Sequence, residues 1–344
     1  MPIRIGFRVD ANEHIATGHL MRCLAIAKEC VSLGMECKFY LAEDKMTDKL
    51  KENNLSYDIL HTSWEQLHQE IPVMTEVIKR EKLQWLVVDS YMADAYYLEA
   101  LNKVCKVMYI DDFISEPYNI GAVLHYSYIK RNIKLEEMYK NTGTMLLFGP
   151  DYVPLRKEFQ RKDNVQREQA VLITTGGTDP YGLGQRILEH KNEHVSLREY
   201  TFHVILGNMN QSVERLKLLA QKDSKIILHQ NVNNISDYMR RCECAVSAGG
   251  TTLYELCACG TPTVCFSFAD NQEQFVRHMG RDGIMICAGD ARENNLIEND
   301  ILRAVVELTE RENLRNRLAL KMRNLIDSFG TVRIAKALRE ACMR

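Results

Sequence analysis

Short β-branched and apolar runs alternate with helix-period stripes along the whole chain, and the alternation breaks once, between residues 150 and 169. Strands separated by helices imply parallel sheets joined by right-handed crossovers. Strands are expected at 3–10, 37–42, 85–90, 106–112, 122–127 and 145–149. A second series is expected at 170–177, 199–206, 225–229, 244–249, 263–267 and 283–287. Residues 18–34 and 64–81 read as helices, with Leu20, Cys23, Leu24, Ala27, Cys30 and Val31 forming one apolar stripe. The break is polar and turn-rich, the mark of an interdomain connection. The expected class is therefore α/β, with two Rossmann-like domains facing each other across a cleft. The first covers 1–152, a connector 153–169, the second 170–325, and a C-terminal helix 326–344. Ligands of such sheets bind beyond the carboxyl ends of the strands.

A chain of 344 residues can bury two such cores. Its net charge of -2 supplies no basic field for nucleic acid or an anionic membrane. The opening MPIRIGFRVD carries arginines inside a strand-like run, so no signal peptide is expected, and no stretch has the apolar length of a membrane span. The eleven cysteines form no small-domain framework, which favours a reducing, cytoplasmic setting. Cys242/Cys244 and Cys257/Cys259 are spaced too closely for the usual zinc pairs and read as buried small side chains.

Four segments place chemistry at expected strand ends. Asp10 closes the first strand, and Ala16-Thr17-Gly18-His19 leads into the first helix with Arg22 one turn on. A helix start offers free N–H groups and a positive dipole end, and a histidine there suits proton transfer or simple capping. In Thr175-Gly176-Gly177-Thr178-Asp179-Pro180, two glycines precede an expected Thr/Asp cap, a geometry that presents backbone donors to phosphate or makes a tight turn. Ser247-Ala248-Gly249-Gly250-Thr251-Thr252 repeats the pattern, with threonine caps expected and Glu255 one turn into the helix, placed for two ribose hydroxyls or for the helix dipole. Asn271 and Gln272 follow the next strand with paired donors and acceptors for sugar hydroxyl and acetamido groups, or with a plain cap. Val88-Asp89-Ser90-Tyr91 and Asp111-Asp112 also sit at strand ends. The adjacent carboxylates should point apart and give support rather than catalysis.

In order and spacing, the Phe-Arg-x-Asp opening, Gly18-His19 with Arg22, Asp89-x-Tyr91, Asp111-Asp112, Leu155-Arg156-x-Glu158-Phe159, Gly176-Gly177-Thr178-Asp179, Ser247-Ala248 with Glu255, and Asn271-Gln272 resemble one family. It is that of the UDP-2,4-diacetamido-2,4,6-trideoxy-β-L-altropyranose hydrolases of pseudaminic acid biosynthesis (PseG-type), related to MurG-like GT-B glycosyltransferases. The resemblance implies a GT-B fold, UDP held chiefly by the second domain, and water attack at the sugar C1. It implies His19, Tyr91 and Asn271 as catalytic residues. Substrate would be bound by Asp10, Gly18, Arg22, Gly176, Gly177, Thr178, Ser247, Ala248, Gly249, Gly250, Thr251, Glu255 and Gln272. A UDP-linked amino sugar is the implied substrate and UDP the product, with no cofactor, no metal, no nucleic acid or membrane partner, and a monomer favoured. Leu124-His125-Tyr126-Ser127 stands where the family carries asparagines, His14 is an extra polar residue, and 290–344 holds extra helix. A MurG-like glycosyltransferase and a non-catalytic UDP-sugar-binding protein are the rival readings; a UDP-sugar 2-epimerase is a third, with less of that family's carboxylate pattern present.

Overall fold

The computed structural model describes residues 2–10, 18–45, 47–114, 116–128, 137–160, 165–207 and 209–343. His14, Ala16 and Thr17 of the first loop lie outside the described residues, as do 161–164 of the connector. The chain divides into two compact units, one made of Met1–Lys157 with Ser328–Arg344, the other of Glu158–Asp327.

The first unit runs β1 (Arg4–Val9), α1 (Gly18–Ser32), β2 (Glu36–Leu41), α2 (Asp48–Glu52), β3 (Ser56–Ile59), α3 (Leu67–Glu81), β4 (Trp85–Asp89), α4 (Ala95–Asn102), β5 (Lys106–Ile110), β6 (Ala122–His125) and β7 (Met145–Phe148). Its seven strands lie in the order β3-β2-β1-β4-β5-β6-β7, and every pairing is parallel. Helices cover both faces, so central strands such as Trp-Leu-Val-Val-Asp are buried throughout and read as continuous apolar runs. The sequence reading omits β3. Its Ser-Tyr-Asp-Ile is short, polar and half-buried at the sheet edge, where little apolar signal is needed. In α1, Leu20, Cys23, Leu24, Ala27 and Cys30 are buried as the stripe requires, whereas Val31 is 47% exposed at the last turn.

The second unit runs β8 (Glu168–Thr174), α5 (Leu183–His190), β9 (Thr201–Leu206), α6 (Val213–Lys222), β10 (Ile226–Gln230), α7 (Ile235–Arg241), β11 (Cys242–Ala248), α8 (Thr252–Cys259), β12 (Thr263–Ser267), α9 (Asp270–Arg281), β13 (Ile286–Asp290), α10 (Ile297–Glu310) and α11 (Glu312–Leu325). The six strands lie in the parallel order β10-β9-β8-β11-β12-β13. β13 starts three residues later than its apolar run suggests, because Gly283 takes a positive φ of 63° and turns the chain after α9. Cys242, Cys244, Cys257 and Cys259 are all buried. Burial pushes each of their thiols up, to about 12 for Cys242 and Cys259 and higher still for the other two.

The chain then returns to the first unit as α12 (Gly330–Met343), which packs on α1. Gly330 passes so close to the backbone that an added Cβ would lie 2.1 Å from the Val153 carbonyl oxygen. Arg333 donates to the Asp151 carbonyl at 2.8 Å and Lys106 to that of Ala341 at 2.9 Å, tying both ends of α12 down. Among the described residues no helix is long and apolar enough to cross a membrane.

Candidate functional site

In each sheet, strand order reverses at one pair of neighbours, β1/β4 in the first unit and β8/β11 in the second. Loops leaving the carboxyl ends of such a pair diverge and open a crevice.

In the first unit Asp10 follows β1, and its N–H donates to the Asp89 carbonyl at the end of β4, 3.2 Å away. His19 stands in the first turn of α1 and is only 5% exposed. Its Nδ1 lies 3.1 Å from Asp89 Oδ1, an ion-pair distance without hydrogen-bond alignment, and neither ring nitrogen has a hydrogen-bond partner. Tyr91, just beyond β4, meets the imidazole edge-on with ring centroids 4.4 Å apart. Burial, then the Asp112 charge, pushes the Tyr91 phenol up to about 12, so it remains a neutral donor at physiological pH.

Arg22, one turn beyond His19, holds this corner together. Nε and Nη2 reach the two Asp89 oxygens, both at 2.6 Å. Nη1 and Nη2 reach Asp112 at 2.8 and 3.0 Å, and Nη1 also donates to the Tyr126 hydroxyl. Five N–H donors thus meet five acceptors, the full capacity of a guanidinium. Burial alone would raise the Asp89 carboxyl, but Arg22 and then His19 outweigh it and hold it below its ordinary value. A fixed anion therefore faces the Nδ1 side of His19. Asp111 points away from Asp112. Its Oδ1 accepts the N–H groups of Phe113 and Ile114, each at 2.9 Å, and burial pushes its carboxyl up.

Beneath Asp10 lies a charged cluster that the sequence reading missed. Arg8, fully buried in β1, pairs with both oxygens of Glu70 from α3 at 2.7 and 3.0 Å and with Asp10 Oδ1 at 2.6 Å. The hydroxyls of Tyr97 and Thr62 complete Glu70, at 2.8 and 2.7 Å. Burial would discharge Arg8, but the Glu70 and Asp10 carboxylates outweigh it and hold the proton on. An arginine inside an apolar strand was the available signal; its partner lies 62 residues away.

In the second unit, the β8 loop begins at Thr175. Gly176 takes a φ of +85°, open to glycine at little cost, and Gly176 and Gly177 are exposed while Thr178 is half-buried. α5 begins at Leu183, three residues later than the Thr178-Asp179-Pro180 pattern suggests. Asp179 still caps it from outside, accepting from the N–H groups of Leu183 and Gly184 at 2.9 and 3.0 Å. At the end of β11, Ser247 and Ala248 are buried, and the Ser247 hydroxyl is spent on the Ala248 carbonyl at 3.0 Å. Gly249 is required by close approach, since an added Cβ would lie 2.8 Å from both Gln272 Cβ and Val276 Cγ2 of α9. Thr251 makes no side-chain capping bond, contrary to the expected threonine cap, so the first N–H groups of α8 are not covered by it. Glu255 is half-buried in the first turn of α8, and Asn271 is exposed in the first turn of α9. Gln272 Oε1 accepts from Phe268 N–H at 3.1 Å, which fixes its side chain against Gly249.

The sequence reading also passed over Arg292. It clamps both oxygens of Asp290 at 2.9 Å and reaches Asp270 in the first turn of α9. With Ser267 donating at 2.8 Å, this pulls the Asp290 carboxyl down to about 2, Arg292 being the largest cause. A depressed carboxylate contributes stability that is present above its unfolded value near pH 4 and lost as pH falls through about 2. In urea titrations followed by circular dichroism, Asp290→Asn should therefore be less stable than the native chain at pH 6. The gap should close between about pH 4 and pH 2; a gap independent of pH would refute this linkage.

Of the proposed site residues, Asp10, Gly18, His19, Arg22 and Tyr91 thus share the reversal corner of the first unit. The remaining ones line the carboxyl ends of β8, β11 and β12 in the second. No group of three or more metal-ligating side chains occurs among the described residues.

A family model described as glycosyl transferases group 1 matches residues 169–301, wholly inside the second unit. The UDP-2,4-diacetamido-2,4,6-trideoxy-beta-L-altropyranose hydrolase of Campylobacter jejuni is 22% identical over 82% of this chain and 97% of its own length. The Helicobacter pylori pseudaminic acid cytidylyltransferase and UDP-2,4-diacetamido-2,4,6-trideoxy-beta-L-altropyranose hydrolase is 27% identical over 79% of this chain and 45% of its own. The spore coat polysaccharide biosynthesis protein SpsG of Bacillus subtilis is 22% identical over 98% of both chains. The chain spans about half the length of some of the curated relatives it matches, the Helicobacter protein among them. Among solved structures, Acinetobacter baumannii MurG superposes with a TM-score of 0.67 at 13% identity, over 98% of this chain and 100% of that one. The S. aureus MnaA–UDP co-structure gives 0.66 at 12%, over 96% and 94%. The chain has the GT-B fold, and the family resemblance read from its motifs is matched by relatives that carry that family's name.

Proposed function

We propose that the chain hydrolyses a UDP-linked diacetamido-trideoxyhexose to free sugar and UDP. The observation that carries this reading is His19: buried, backed at Nδ1 by an Asp89 that Arg22 keeps anionic, and with Nε2 unpartnered beside Tyr91. In the proposed step a water oxygen attacks C1 while its proton passes to His19 Nε2. The C1–oxygen bond breaks and its electron pair leaves on the β-phosphate of UDP. Tyr91 and Asn271 orient water and sugar, and Arg22 acts as a positioning residue through Asp89. The glycine loops after β8 and β11 and the start of α8 lend N–H groups to the diphosphate, where they stabilise the growing charge, and Glu255 takes the ribose. The names of the Campylobacter and Helicobacter relatives support this choice of sugar and reaction.

A MurG-like transferase would share this fold. Incubation with UDP-2,4-diacetamido-2,4,6-trideoxy-β-L-altropyranose and no acceptor, followed by proton NMR, separates the two. Free sugar and UDP are the expected products. Turnover that requires an added acceptor would replace hydrolysis by transfer, and tight binding with no product would leave a binding protein.

A further inference from the structure

We propose that Phe113 and Tyr91 form a two-ring shelf that takes the apolar face of the substrate's glycosyl group, which makes Phe113 a specificity-determining residue. This rests on the nucleotide-sugar reading above. Phe113 is 66% exposed, Tyr91 48% and Met92 44%, a contiguous apolar patch at the strand ends beside His19. The two ring centroids lie 5.3 Å apart, and Tyr91 also contacts the imidazole of His19. Contiguous exposed aromatic surface marks a contact to be made.

The backbone, not core packing, holds the shelf in place. Asp111 Oδ1 binds the N–H groups of Phe113 and Ile114, and Ser90 Oγ binds that of Met92 at 3.1 Å. Ile114 pays for this turn with a φ of +48°, a left-handed conformation that a β-branched side chain strongly disfavours. Strain of this kind persists where the surroundings impose it, and it gathers at ligand-holding turns. The chemistry nearby selects the occupant. Asp10 Oδ2 after β1 and Asp111 Oδ2 after β5, on either side of β4, are buried carboxylate oxygens without hydrogen-bond partners. They suit a ligand rich in O–H and N–H donors, which a sugar offers and an acyl chain does not. Aromatic walls with a few placed polar groups are the usual makeup of such a site. A sugar face bearing hydrogens or methyl groups loses no hydration against the rings, whereas a hydroxyl there would.

Calorimetry tests this in a His19→Ala background, which prevents turnover during titration, with the trideoxy sugar nucleotide, UDP-glucose and UDP as probes. Phe113→Ala should weaken the trideoxy sugar nucleotide by roughly tenfold, the loss expected for one ring's worth of apolar contact. UDP should bind as before, UDP-glucose should change little, and Phe113→Trp should restore affinity where Phe113→Leu does not. Equal affinity ratios in Phe113→Ala and its parent would overturn the shelf while leaving the nucleotide-sugar reading intact. So would the same equal ratios with a loss of vesicle binding, which would make the patch a membrane contact. A parent chain that binds neither UDP nor any UDP-sugar would overturn both.

Discussion

His19→Ala should cut UDP release from the sugar nucleotide by a hundredfold or more, the usual scale for a general base, while UDP itself binds almost as well as before. The side chain is buried but makes no hydrogen bond, so its removal leaves no partner stranded. Asp89 keeps both Arg22 bonds, and α1 keeps its apolar stripe. The loss should therefore appear in kcat, with circular dichroism and the urea midpoint close to native. Steady-state release of UDP, measured beside a UDP titration, checks the split. Turnover near the native rate would remove the imidazole from the mechanism, whatever the products turn out to be.

Arg8→Met should be the most damaging single change to the first unit, at about 3–5 kcal/mol. Methionine fills much of the same volume, so the cost is electrostatic. Glu70 and Asp10 would be left as buried carboxylates without a counter-charge. Pairing the change with Glu70→Leu should recover part of the loss, because an apolar pair of similar size avoids the desolvation that the ions carry. Both tryptophans, Trp64 and Trp85, lie in the first unit, so their fluorescence during urea unfolding reports on that unit alone. An unchanged fluorescence midpoint in Arg8→Met would show that the cluster carries no net weight.

What could be read from the sequence follows from what is local. Parallel strands covered on both faces announce themselves as apolar runs, and the two glycine-bearing loops follow directly from where β8 and β11 end. The contact of His19 with Tyr91 is not local: the first turn of α1 and the residue just beyond β4 meet because β1 and β4 are neighbours at the reversal point. Failures came where contacts span sequence. Nothing near Arg8 names Glu70, nothing near Asp89 announces that Arg22 will also bind Asp112, and the Asp290–Arg292 clamp on Asp270 becomes visible only once β13 is placed three residues late. Capping fails for a local reason. Thr251 has the right chemistry for a cap but adopts helical φ and ψ of -60° and -25°, which turn its hydroxyl away from that task.

The return of α12 to the first unit has a consequence for how the chain is made. Emerging from the ribosome in order, residues 158–327 have every segment of their unit in hand before the first unit has its last helix. Until residues 330–343 follow, the apolar side of α1 that α12 covers remains open to water, and to any chaperone that binds such surfaces. The half of the molecule synthesised second is thus the one equipped to fold first, and the half that begins the chain is the last to close.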